Sequence, residues 1–393
     1  MRDGKCNIDF ASTVTVSEIL PTVPQGNSSE TCCGPPPAPA SSPNERPGYR
    51  LLPFVAGFIH TPAGPVPRVA TALAPADLIG VAAVRCGIGR NRRAIAPGLY
   101  AVGPACADSP VLVTANYKLT FDTLRRELSG VGAWVLVLDT RGVNVWCAAG
   151  KKLFSHDELA LRVQRTGLER VVRHRRLILP QLAASGVSAR QVKKKCGFEV
   201  VWGPVRASDI QTFLRNGMKA EAAMRRVTFT FGERLVLVPV ELSFLPKPTA
   251  VILAALFLMS GIGGGIFSFD AAWARGLAAA AAYAAGVLAG AVATPVLLPW
   301  IPGRAFAVKG ALTGTAVGGL LILLLRTGLH AAELPALLVL TAAVSSYLAM
   351  NFTGSTPFTS PSGVEKEMRR AIPLQAAAFL AFALAWVGSA FVG

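Results

Sequence analysis

The carboxyl-terminal part of the sequence contains five apolar segments, each close to the ~20 residues that an α-helix needs to cross a bilayer. They cover residues 250–269, 277–299, 308–327, 334–352 and 372–391. Residues 249–393 hold only seven of the 39 Lys and Arg residues and four of the 22 Asp and Glu residues. The glycines of SGIGGGIF and GTAVGGLL are typical of close helix packing. We therefore expect residues 249–393 to form an all-α membrane domain, an anchor of five transmembrane helices in the lipid bilayer.

The part of the chain before these segments is polar and basic, with 32 Lys and Arg residues against 18 Asp and Glu residues. Residues 1–48 are rich in Pro, Ser and Gly, a composition that cannot bury enough apolar surface to fold, so they are predicted to form a disordered tail. The adjacent Cys32 and Cys33 in this tail either trap a soft metal ion or are two incidental cysteines. Residues 49–248 remain as a folded soluble domain.

The basic residues predict an orientation in the membrane. If the soluble domain lies inside, the outer connections carry only Arg275 and Arg326. The inner connections then carry Arg304, Lys309, Lys366, Arg369 and Arg370. This distribution satisfies the positive-inside rule, and residues 1–10 lack the apolar run of a secretory signal. We therefore expect a multi-pass protein of the cytoplasmic (inner) membrane whose soluble domain faces the cytoplasm.

Within residues 49–248, apolar runs alternate with amphipathic segments. Four runs are typical of buried strands: PVLVTAN (110–116), AWVLVLDT (133–140), RLILP (176–180) and FEVVW (198–202). The segments between them predict helices, and Ser155 with Glu158 forms the pattern of a capping box. Such alternation predicts an α/β domain with a parallel sheet. Residues 227–242 are predicted to close the domain as a hairpin.

The chain has seven cysteines and no CxxC pair: Cys6, Cys32, Cys33, Cys86, Cys106, Cys147 and Cys196. This spacing disfavours a disulfide scaffold, a zinc ribbon and a cysteine-bound iron–sulfur cluster. A functional cysteine in this chain is therefore expected to act singly, as a thiolate in a reducing compartment.

The stretch GVNVWCAAGK, residues 142–151, directly follows the second predicted strand. Its Gly150-Lys151 ending is similar to that of a phosphate-binding loop. However, seven residues separate Gly142 from Gly150 instead of four, and Lys152 stands where a Ser or Thr would bind magnesium. Nucleotide hydrolysis is therefore not expected.

If residues 143–152 form a short helix, its two sides differ in polarity. Asn144, Cys147, Ala148 and Lys151 lie on one side, and Val145, Trp146 and Ala149 lie on the other. Trp146 is expected to pack on the sheet edge, so that Cys147 projects towards the carboxyl ends of the strands, where α/β folds bind ligands. The small residues at 148–150 would let a flat cofactor with a soft metal at its centre lie close to the backbone. The alternative is that Cys147 is a small buried hydrophobe.

Further cofactor contacts are expected from the loops at the carboxyl ends of the four strands. Ordinary turn and capping roles are the alternative for each residue. The candidates, in strand order, are Thr114, Asn116 and Thr120; Asp139 and Thr140; Pro180, Gln181, Leu182 and Ala183; and Gly203, Pro204, Val205 and Arg206.

Residues 144–151, NVWCAAGK, resemble the cap-helix motif of the HgcA family of mercury-methylating corrinoid proteins. Residues 84–103 and 113–128, and the five spans after a soluble domain, resemble the same family. Its soluble domain is similar to the large subunit of the corrinoid iron–sulfur protein of the acetyl-CoA pathway. The resemblance implies a Rossmann-like corrinoid-binding domain that holds base-off cobalamin. It also implies that the Cys147 sulfur is the lower ligand of cobalt and that the rest of 144–151 lines the cofactor.

The resemblance implies a corrinoid-dependent methyltransferase that passes a methyl group from cobalamin to inorganic Hg(II), forming methylmercury. A thiolate is a soft, strongly donating ligand, and opposite a methyl group it favours departure of the methyl with its bonding electrons, as Hg(II) requires. The D-x-H-x-x-G pattern of other cobalamin proteins is absent around the four histidines. The implied partners are a ferredoxin-like electron donor, HgcB, and a methyltetrahydrofolate-linked methyltransferase.

Two other functions stay open at this point. One is a corrinoid methyl carrier for acetyl-CoA-type one-carbon metabolism, with no dependence on mercury. The other is a membrane binding or transport protein, although spans with so few ionisable residues favour an anchor. The basic runs 170–176 and 190–195 lack interleaved aromatic residues, so no nucleic-acid partner is expected. They would suit solvent, anionic lipid or an acidic electron carrier.

Overall fold

The computed structural model describes residues 53–90, 93–325, 329–352, 356 and 361–391. The predicted tail at 1–48, with the adjacent Cys32 and Cys33, lies outside these residues. The chain divides into two compact units. An α/β unit comprises residues up to Ala83 and Gly89–Val227, and a helical unit comprises Val84–Ile88 and residues from Thr228 onward.

The described residues of the α/β unit form seven strands: β1 (Val55–Thr61), β2 (Gly64–Val69), β3 (Gly98–Val102), β4 (Val111–Ala115), β5 (Ala133–Leu138), β6 (Arg176–Leu179) and β7 (Glu199–Trp202). They form one sheet in the order β1-β2-β3-β5-β4-β6-β7. β4 pairs in parallel with β5 and with β6, and β6 pairs in parallel with β7, as predicted. Because β5 and β6 lie on opposite sides of β4, the strand order reverses between β4 and β6. This is the switch point at which open α/β sheets bind ligands.

The sheet as a whole is mixed, so the predicted parallel pairing holds for β4 to β7 but not for the whole sheet. β1 pairs antiparallel with β2, and β3 pairs antiparallel with β5. The sequence does not reveal β1 and β2 because Gly57 interrupts the apolar pattern of β1, and Pro65 and Pro67 interrupt that of β2.

The helices of the α/β unit are α1 (Pro75–Arg85), α2 (Lys118–Glu127), α3 (Val145–Gly150), α4 (His156–Arg165), α5 (Leu168–Val171), α6 (Ala189–Cys196) and α7 (Ile210–Arg215). Every residue of β4 and of β5 is buried, because each face of these strands packs in its own apolar core. Burial of a single Leu or Val side chain contributes about 2 kcal/mol. The two central strands therefore fix the positions at which the loops after them begin.

The helical unit contains α8 (Phe231–Leu235), α9 (Val238–Ser243), α10 (Pro246–Gly261), α11 (Phe269–Val287), α12 (Thr294–Leu297), α13 (Phe306–Leu325), α14 (Glu333–Asn351), α15 (Pro361–Gly388) and the short strands β8 (Ile262–Gly263) and β9 (Ile266–Phe267). In the described part of the chain, four helices are long and apolar enough to cross a membrane: Phe269–Leu297, Phe306–Leu325, Glu333–Asn351 and Gly363–Phe391. A fifth span results if the bent pair Phe231–Ser243 and Pro246–Gly261 counts as one. This set of helices indicates a membrane protein.

The predicted span at 250–269 differs most from the structure. α10 has 16 residues, which corresponds to a length of about 24 Å, and the chain then turns back through β8 and β9. Gly263, Gly264 and Gly265 belong to this turn, so their predicted role in helix packing was wrong. Gly314 does pack helices together, because a Cβ at this position would lie 2.6 Å from the Ser345 Cβ on α14.

The predicted hairpin at 227–242 was also wrong, because this segment forms α8 and α9. Thr230 Oγ1 accepts a hydrogen bond from the Glu233 amide, and the Glu233 carboxylate accepts one from the Thr230 amide at 2.7 Å. This capping box starts a helix where the alternating apolar residues had favoured a strand. Pro239 lies in the first turn of α9, where its missing N–H is not needed.

Two charged residues that the sequence assigned to connections, Arg275 and Lys309, lie within described helices and form hydrogen bonds there. Arg275, which the sequence assigned to an outer connection, lies within α11, and its Nε donates to Glu333 at 2.6 Å. The Lys309 Nζ donates to the carbonyl oxygens of Leu298 and Ile301 at 2.7 and 2.5 Å.

Candidate functional site

The loops after β5 and β6 meet across the carboxyl end of β4. A Cβ at Gly186, in the loop after β6, would lie 2.8 Å from the Ala149 Cα in α3 and 2.4 Å from the Phe154 carbonyl oxygen. Because β4 lies between β5 and β6, this contact places α3 beside the switch point of the sheet. The short helix that carries Cys147 is thus held where a ligand of this fold would bind.

The start of α3 is fixed by a side-chain cap. Asn144 is the N-cap residue, and its Oδ1 accepts a hydrogen bond from the Cys147 amide at 2.9 Å. Val145, Ala148 and Ala149 are buried, with the i, i+3, i+4 spacing of a single helix face. Asn144 therefore both starts the helix and orients the backbone at Cys147.

Cys147 is exposed, so it is not a small buried hydrophobe. Trp146 beside it is 39% exposed and does not pack on the sheet edge, which corrects the predicted division of the helix faces. The prediction assumed a helix over 143–152, whereas α3 spans only Val145–Gly150 and buries the Val145–Ala149 side. An aromatic ring and a thiol consequently lie next to each other on the exposed side of α3.

The end of α3 is equally well defined. The amides of Leu153 and Phe154 both bond the Ala148 carbonyl, at 2.8 and 3.1 Å, and Phe154 is fully buried. Lys152 has a φ of 59°, in the left-handed region. Gly150 and Lys151 are exposed at this end of the helix. The buried Phe154 thus anchors the carboxyl end of α3 while Lys151 extends into solvent.

Asn116, at the end of β4, organises the turn that leads into α3. Its Oδ1 accepts from the amides of Thr140 and Gly142 at 3.1 and 2.9 Å, and the Thr140 hydroxyl lies 2.9 Å from the same oxygen. Its Nδ2 donates to Asp139 Oδ1 at 3.3 Å. Asn116 is only 4% exposed. The predicted residues Asn116, Asp139 and Thr140 therefore do come together, and they bond one another.

Glu158 completes this cluster, although the capping-box pattern predicts Ser155 as the partner of its carboxylate. Ser155 Oγ accepts from the Glu158 amide at 3.2 Å, as predicted. The Glu158 carboxylate does not return to Ser155 but accepts from the Asp139 amide at 2.8 Å. The capping box is therefore only half formed. The only sequence signal for Glu158 was its spacing from Ser155, which says nothing about a partner 19 residues away.

The loop after β6 contains an unsatisfied polar atom. Residues 181–183 form a single 3-10 turn, in which the Ala183 amide bonds the Pro180 carbonyl at 2.9 Å. Leu182 and Ala183 pack into the core below. The Oε1 of Gln181 is buried and has no hydrogen-bond partner within the described chain. Such an atom costs about 1–3 kcal/mol if it is left unpaired, so Gln181 Oε1 is open to a donor from water or from a bound molecule.

Thr114 and Thr120 belong to β4 and α2. Thr114 is a buried residue of β4, two positions before Asn116, and it pairs in register with Val137 on β5. Thr120 is half-buried in the first turn of α2. In the described residues, no side-chain hydrogen bond joins either threonine to α3.

The loop after β7 is held by backbone bonds. The Gly203 amide bonds the Leu179 carbonyl at 2.8 Å, and the Val205 amide bonds the Met224 carbonyl at 2.8 Å. Gly203 and Pro204 are buried. This arrangement leaves Val205 as the half-buried member of the predicted group, next to the exposed Arg206.

The cysteines of the α/β unit differ in their environment. Burial raises the pKa of Cys196, which lies at the end of α6. Cys147 is the one that is exposed on a helix at the carboxyl end of the sheet. Across the described ranges, no group of three or more His, Cys, Asp or Glu side chains could hold a metal ion.

Residues 89–214 match the family model of the CO dehydrogenase/acetyl-CoA synthase delta subunit, CdhD. Three similar proteins are each named acetyl-CoA decarbonylase/synthase complex subunit gamma. That of Methanocaldococcus jannaschii is 37% identical over 131 residues, 32% of this chain and 26% of the relative. Those of Archaeoglobus fulgidus and Methanothermobacter thermautotrophicus are 32% identical over 122 residues and 35% identical over 129 residues. They cover 30% and 32% of this chain, and 26% and 27% of the relatives.

This chain spans about a quarter of the length of these relatives. The matched segment runs from just before β3 into α7 and includes β4 to β7 and α3. The candidate site lies wholly within it. Residues 89–214 thus contain a CdhD-type domain homologous to the gamma subunits of acetyl-CoA decarbonylase/synthase complexes.

Proposed function

We propose that the α/β unit binds a corrinoid and serves as a methyl carrier in one-carbon metabolism, with the Cys147 thiolate as the lower ligand of cobalt. One observation carries this proposal: Cys147 is exposed on a short helix at the switch point of a sheet whose segment is homologous to the gamma subunits. The relatives are named as subunits of acetyl-CoA decarbonylase/synthase complexes, and we propose that this chain carries methyl groups in the same kind of metabolism.

The residues present fit such a cofactor. Ala148, Ala149 and Gly150 give α3 a low profile, and Trp146 offers an exposed ring beside the thiol. The buried Gln181 Oε1 lacks a donor, and a corrin ring edge carries amide groups that could donate to it. A soft thiolate suits cobalt within a nitrogen macrocycle.

When bound, the corrinoid would supply a cobalt centre that accepts and releases a methyl group. The chain's own part is to hold the donor atom still. Asn144 fixes the Cys147 backbone, and Asn116 fixes the turn before it. The Cys147 sulfur would be the protein's ligand to that metal, and in the mercury case its electron donation would favour release of the methyl with its bonding electrons.

The remaining predicted contacts are part of the proposal. Lys151 would bind a propionamide or phosphate of the cofactor from the exposed end of α3. Asp139 is exposed beside the same edge, while Asn116 and Thr140 act from beneath it. Contacts from the other loops would involve Pro180 to Ala183 and Gly203 to Val205, and Thr114 and Thr120 would contribute from β4 and α2.

Hg(II) is the second candidate acceptor. The cap-helix motif NVWCAAGK favours it, because it resembles that of the mercury-methylating HgcA family, and a thiolate suits transfer to an electrophile. The relatives' names favour acetyl-CoA-type metabolism instead, and the matches support that acceptor better. In both cases we propose an electron-donor protein partner, HgcB in the mercury case, and a methyltetrahydrofolate-linked methyltransferase as methyl source. The helical unit would anchor the carrier to the cytoplasmic membrane, with the α/β unit inside.

The corrinoid proposal is tested by cobalt retention. The detergent-solubilised full chain is mixed anaerobically with methylcobalamin, passed through gel filtration and analysed for cobalt per chain. We expect close to one cobalt per wild-type chain and a clear loss in a Lys151→Gln/Gln181→Leu double variant. Arg165→Gln, an exposed change at the end of α4, is the matched control. Wild-type protein that emerges without cobalt would exclude the carrier function.

The acceptor is tested with a methyl-labelled cofactor bound to the chain. Label is offered to Hg(II) and, separately, to an acetyl-CoA decarbonylase/synthase complex. Transfer to the complex alone supports one-carbon metabolism, and methylmercury formation supports the second candidate. In the mercury case Cys147→His is expected to lower transfer more than cofactor binding, because imidazole donates less than thiolate. Full methylmercury formation by Cys147→Ala would contradict the role of the thiolate.

A further inference from the structure

The segment Phe231–Ser243 does not continue the axis of α10. It meets Pro246–Gly261 at an angle of 60°, with the break between Ser243 and Pro246. A bend of this size fits either a broken membrane span or a helix that lies along the membrane surface. Side-chain exposure and charge in the helical unit distinguish these two arrangements.

One side of α8–α9 packs on the helical unit and the other is open. Arg234, Val238 and Val240 are buried. Phe231 is 52% exposed and Leu235 is 46% exposed. The open side is therefore apolar, although it belongs to a short segment that also contains charged residues. Such a pattern is typical of interfacial helices, whose apolar side enters the boundary between headgroups and acyl chains.

The charges argue against a place inside the hydrocarbon. Glu233, Arg234 and Glu241 lie within 13 residues, and a charged side chain at the bilayer centre is costly. Glu233 is committed to the capping box at the start of α8. At the membrane surface these groups keep access to water, so the surface arrangement carries no such cost.

Arg234 ties α8 to the end of α12. Its guanidinium donates to the carbonyl oxygens of Val296 and Phe229 at 3.1 and 2.6 Å, and it lies 5.6 Å from the centre of the Trp300 ring. Trp300 is 68% exposed. An exposed tryptophan next to a cation is typical of the membrane–water interface. α8 and Trp300 thus mark the same level of the helical unit.

Four further cations share this end of the bundle. α10, α13 and α15 begin here, and the Ala307 amide at the start of α13 bonds Glu367 near the start of α15 at 2.7 Å. The cations are Lys247, Arg304, Lys366 and Arg370, and all four are exposed. Within the described parts of the chain, none of the four forms an ion pair with a carboxylate, whereas Arg369 pairs with Glu365.

We propose that α8–α9 is an interfacial helix and that Lys247, Arg304, Lys366 and Arg370 bind the phosphate headgroups of anionic phospholipids. The exposed Phe231, Leu235 and Phe244 would enter the acyl boundary beside them. Positive charge at this end of the bundle matches the anionic inner leaflet. This surface is independent of the corrinoid site, so each can fail without the other.

Lipid selectivity tests the cations. The full chain in detergent is given equimolar phosphatidylglycerol and phosphatidylcholine, and lipid retained after gel filtration is measured by mass spectrometry. Wild type is expected to be enriched in phosphatidylglycerol. The variant Lys247→Gln/Arg304→Gln/Lys366→Gln/Arg370→Gln should lose at least about fivefold of that enrichment, roughly the effect of one interfacial cation.

The matched control carries four exposed substitutions in the α/β unit, outside its two basic runs: Arg126→Gln, Arg165→Gln, Arg215→Gln and Lys219→Gln. It should keep the wild-type enrichment. No enrichment in wild type, no loss in the first variant, or an equal loss in the control would each overturn the proposal. If the quadruple variant aggregates, the double variants Lys247→Gln/Arg304→Gln and Lys366→Gln/Arg370→Gln replace it.

Depth in the bilayer tests the helix. Phe244 is 66% exposed, so Phe244→Trp adds a fluorophore with little change in packing. Full-length protein in nanodiscs is quenched with lipids brominated near the headgroup or deep in the acyl chain, and the wild-type signal is subtracted. Stronger quenching by the shallow bromines is expected. Stronger quenching by the deep bromines would place the segment inside the hydrocarbon and overturn the proposal.

Discussion

Both units contain buried polar groups, but these groups bind different parts of the backbone. In the α/β unit, side chains reach across the fold to bind loop backbone: Asn116 binds the turn before α3, and Arg125 binds the carbonyl oxygens of Ala70 and Ala72. In the helical unit, hydroxyls bind helix carbonyls at close range, as Ser345 does with Gly310 at 2.6 Å. In the α/β unit, buried side chains position loops. In the helical unit, buried hydroxyls bond the backbone where two helices lie close together.

This difference determines where each unit can present a functional side chain. Loops held by long side chains can vary in sequence and still be placed accurately, so the α/β unit can present a thiol at a defined point. In the helical unit, α13 and α14 are in close contact at Gly310 and Gly314, which leaves no room for a loop between them. The helical unit is consequently suited to anchoring, with its exposed chemistry confined to its ends.

The largest effect is expected from Arg125→Met. Arg125 is fully buried and pairs with Asp122 and Asp77 at 2.8 and 2.7 Å. Its loss leaves a buried carboxylate partly uncompensated, although Lys118 still pairs with both. We expect the free energy of unfolding to fall by about 4 kcal/mol, measured by denaturant unfolding followed through the α/β unit's tryptophans. A loss below about 1 kcal/mol would show that the network does not position the loops.

Acid should weaken the same network. Burial acts to raise the pKa of Asp77, but the hydrogen bond and charge of Lys118 and the hydrogen bond of Arg125 outweigh it and lower the pKa below 3.8. The resulting stabilisation is complete above the unfolded pKa and is lost as pH falls through the folded one. The difference between wild type and Arg125→Met should therefore be constant near neutral pH and shrink in acid below about pH 4.

A smaller loss is expected from Gly310→Ala in the helical unit. The added Cβ would lie 2.5 Å from the Ala349 Cβ and 2.5 Å from the Ser345 carbonyl oxygen. The expected cost is about 2–3 kcal/mol, since α13 and α14 must separate. Thermal unfolding in detergent measures it. Gly319→Ala is the control, because nothing lies within 4 Å of its Cβ. Equal loss in both variants would contradict close packing at Gly310.

The smallest loss of stability, but a direct loss of site geometry, is expected from Asn116→Ala. The amides of Thr140 and Gly142 lose their acceptor, at a cost of about 2 kcal/mol, whereas the Thr140 hydroxyl keeps the Val143 carbonyl at 2.6 Å. The swap Asn116→Asp/Asp139→Asn keeps an acceptor at 116 and a donor at 139, so it should restore much of the stability and the cobalt retention. Asn116→Asp alone places two carboxylates together and serves as the control. If the swap is no better than that single variant, the bonds seen at Asn116 do not set the turn.

Sequence reasoning succeeded where a pattern is local. β4 to β7 are short apolar runs bounded by turn residues, and Ser155 lies at the N-cap of α4 as its spacing indicated. It failed where helix and strand patterns coincide. The alternating residues of 227–242 suit a strand, and only the capping box at Thr230 and Glu233 favours a helix. A six-residue helix such as α3 is too short for periodicity to choose its buried side, so Trp146 was misplaced.

Long-range bonds were out of reach for the same reason. Asn116 and Thr140 were candidates because they end strands, but no sequence feature pairs Asn116 with Gly142 across 26 residues. Glu158 was found as a cap, yet its carboxylate binds Asp139. Composition likewise counted Arg275 as a connection residue, since a sequence does not show that Glu333 lies beside it.

The central claim is that the Cys147 sulfur ligates cobalt. The most direct test is the anaerobic visible absorbance spectrum of the full-length chain with methylcobalamin, compared with Cys147→Ala. Cys147 is exposed, so the substitution leaves the fold intact. The account predicts a sulfur-ligation shift in wild type that disappears in the variant while corrinoid stays bound. Identical spectra for the two proteins, each with corrinoid bound, would contradict it.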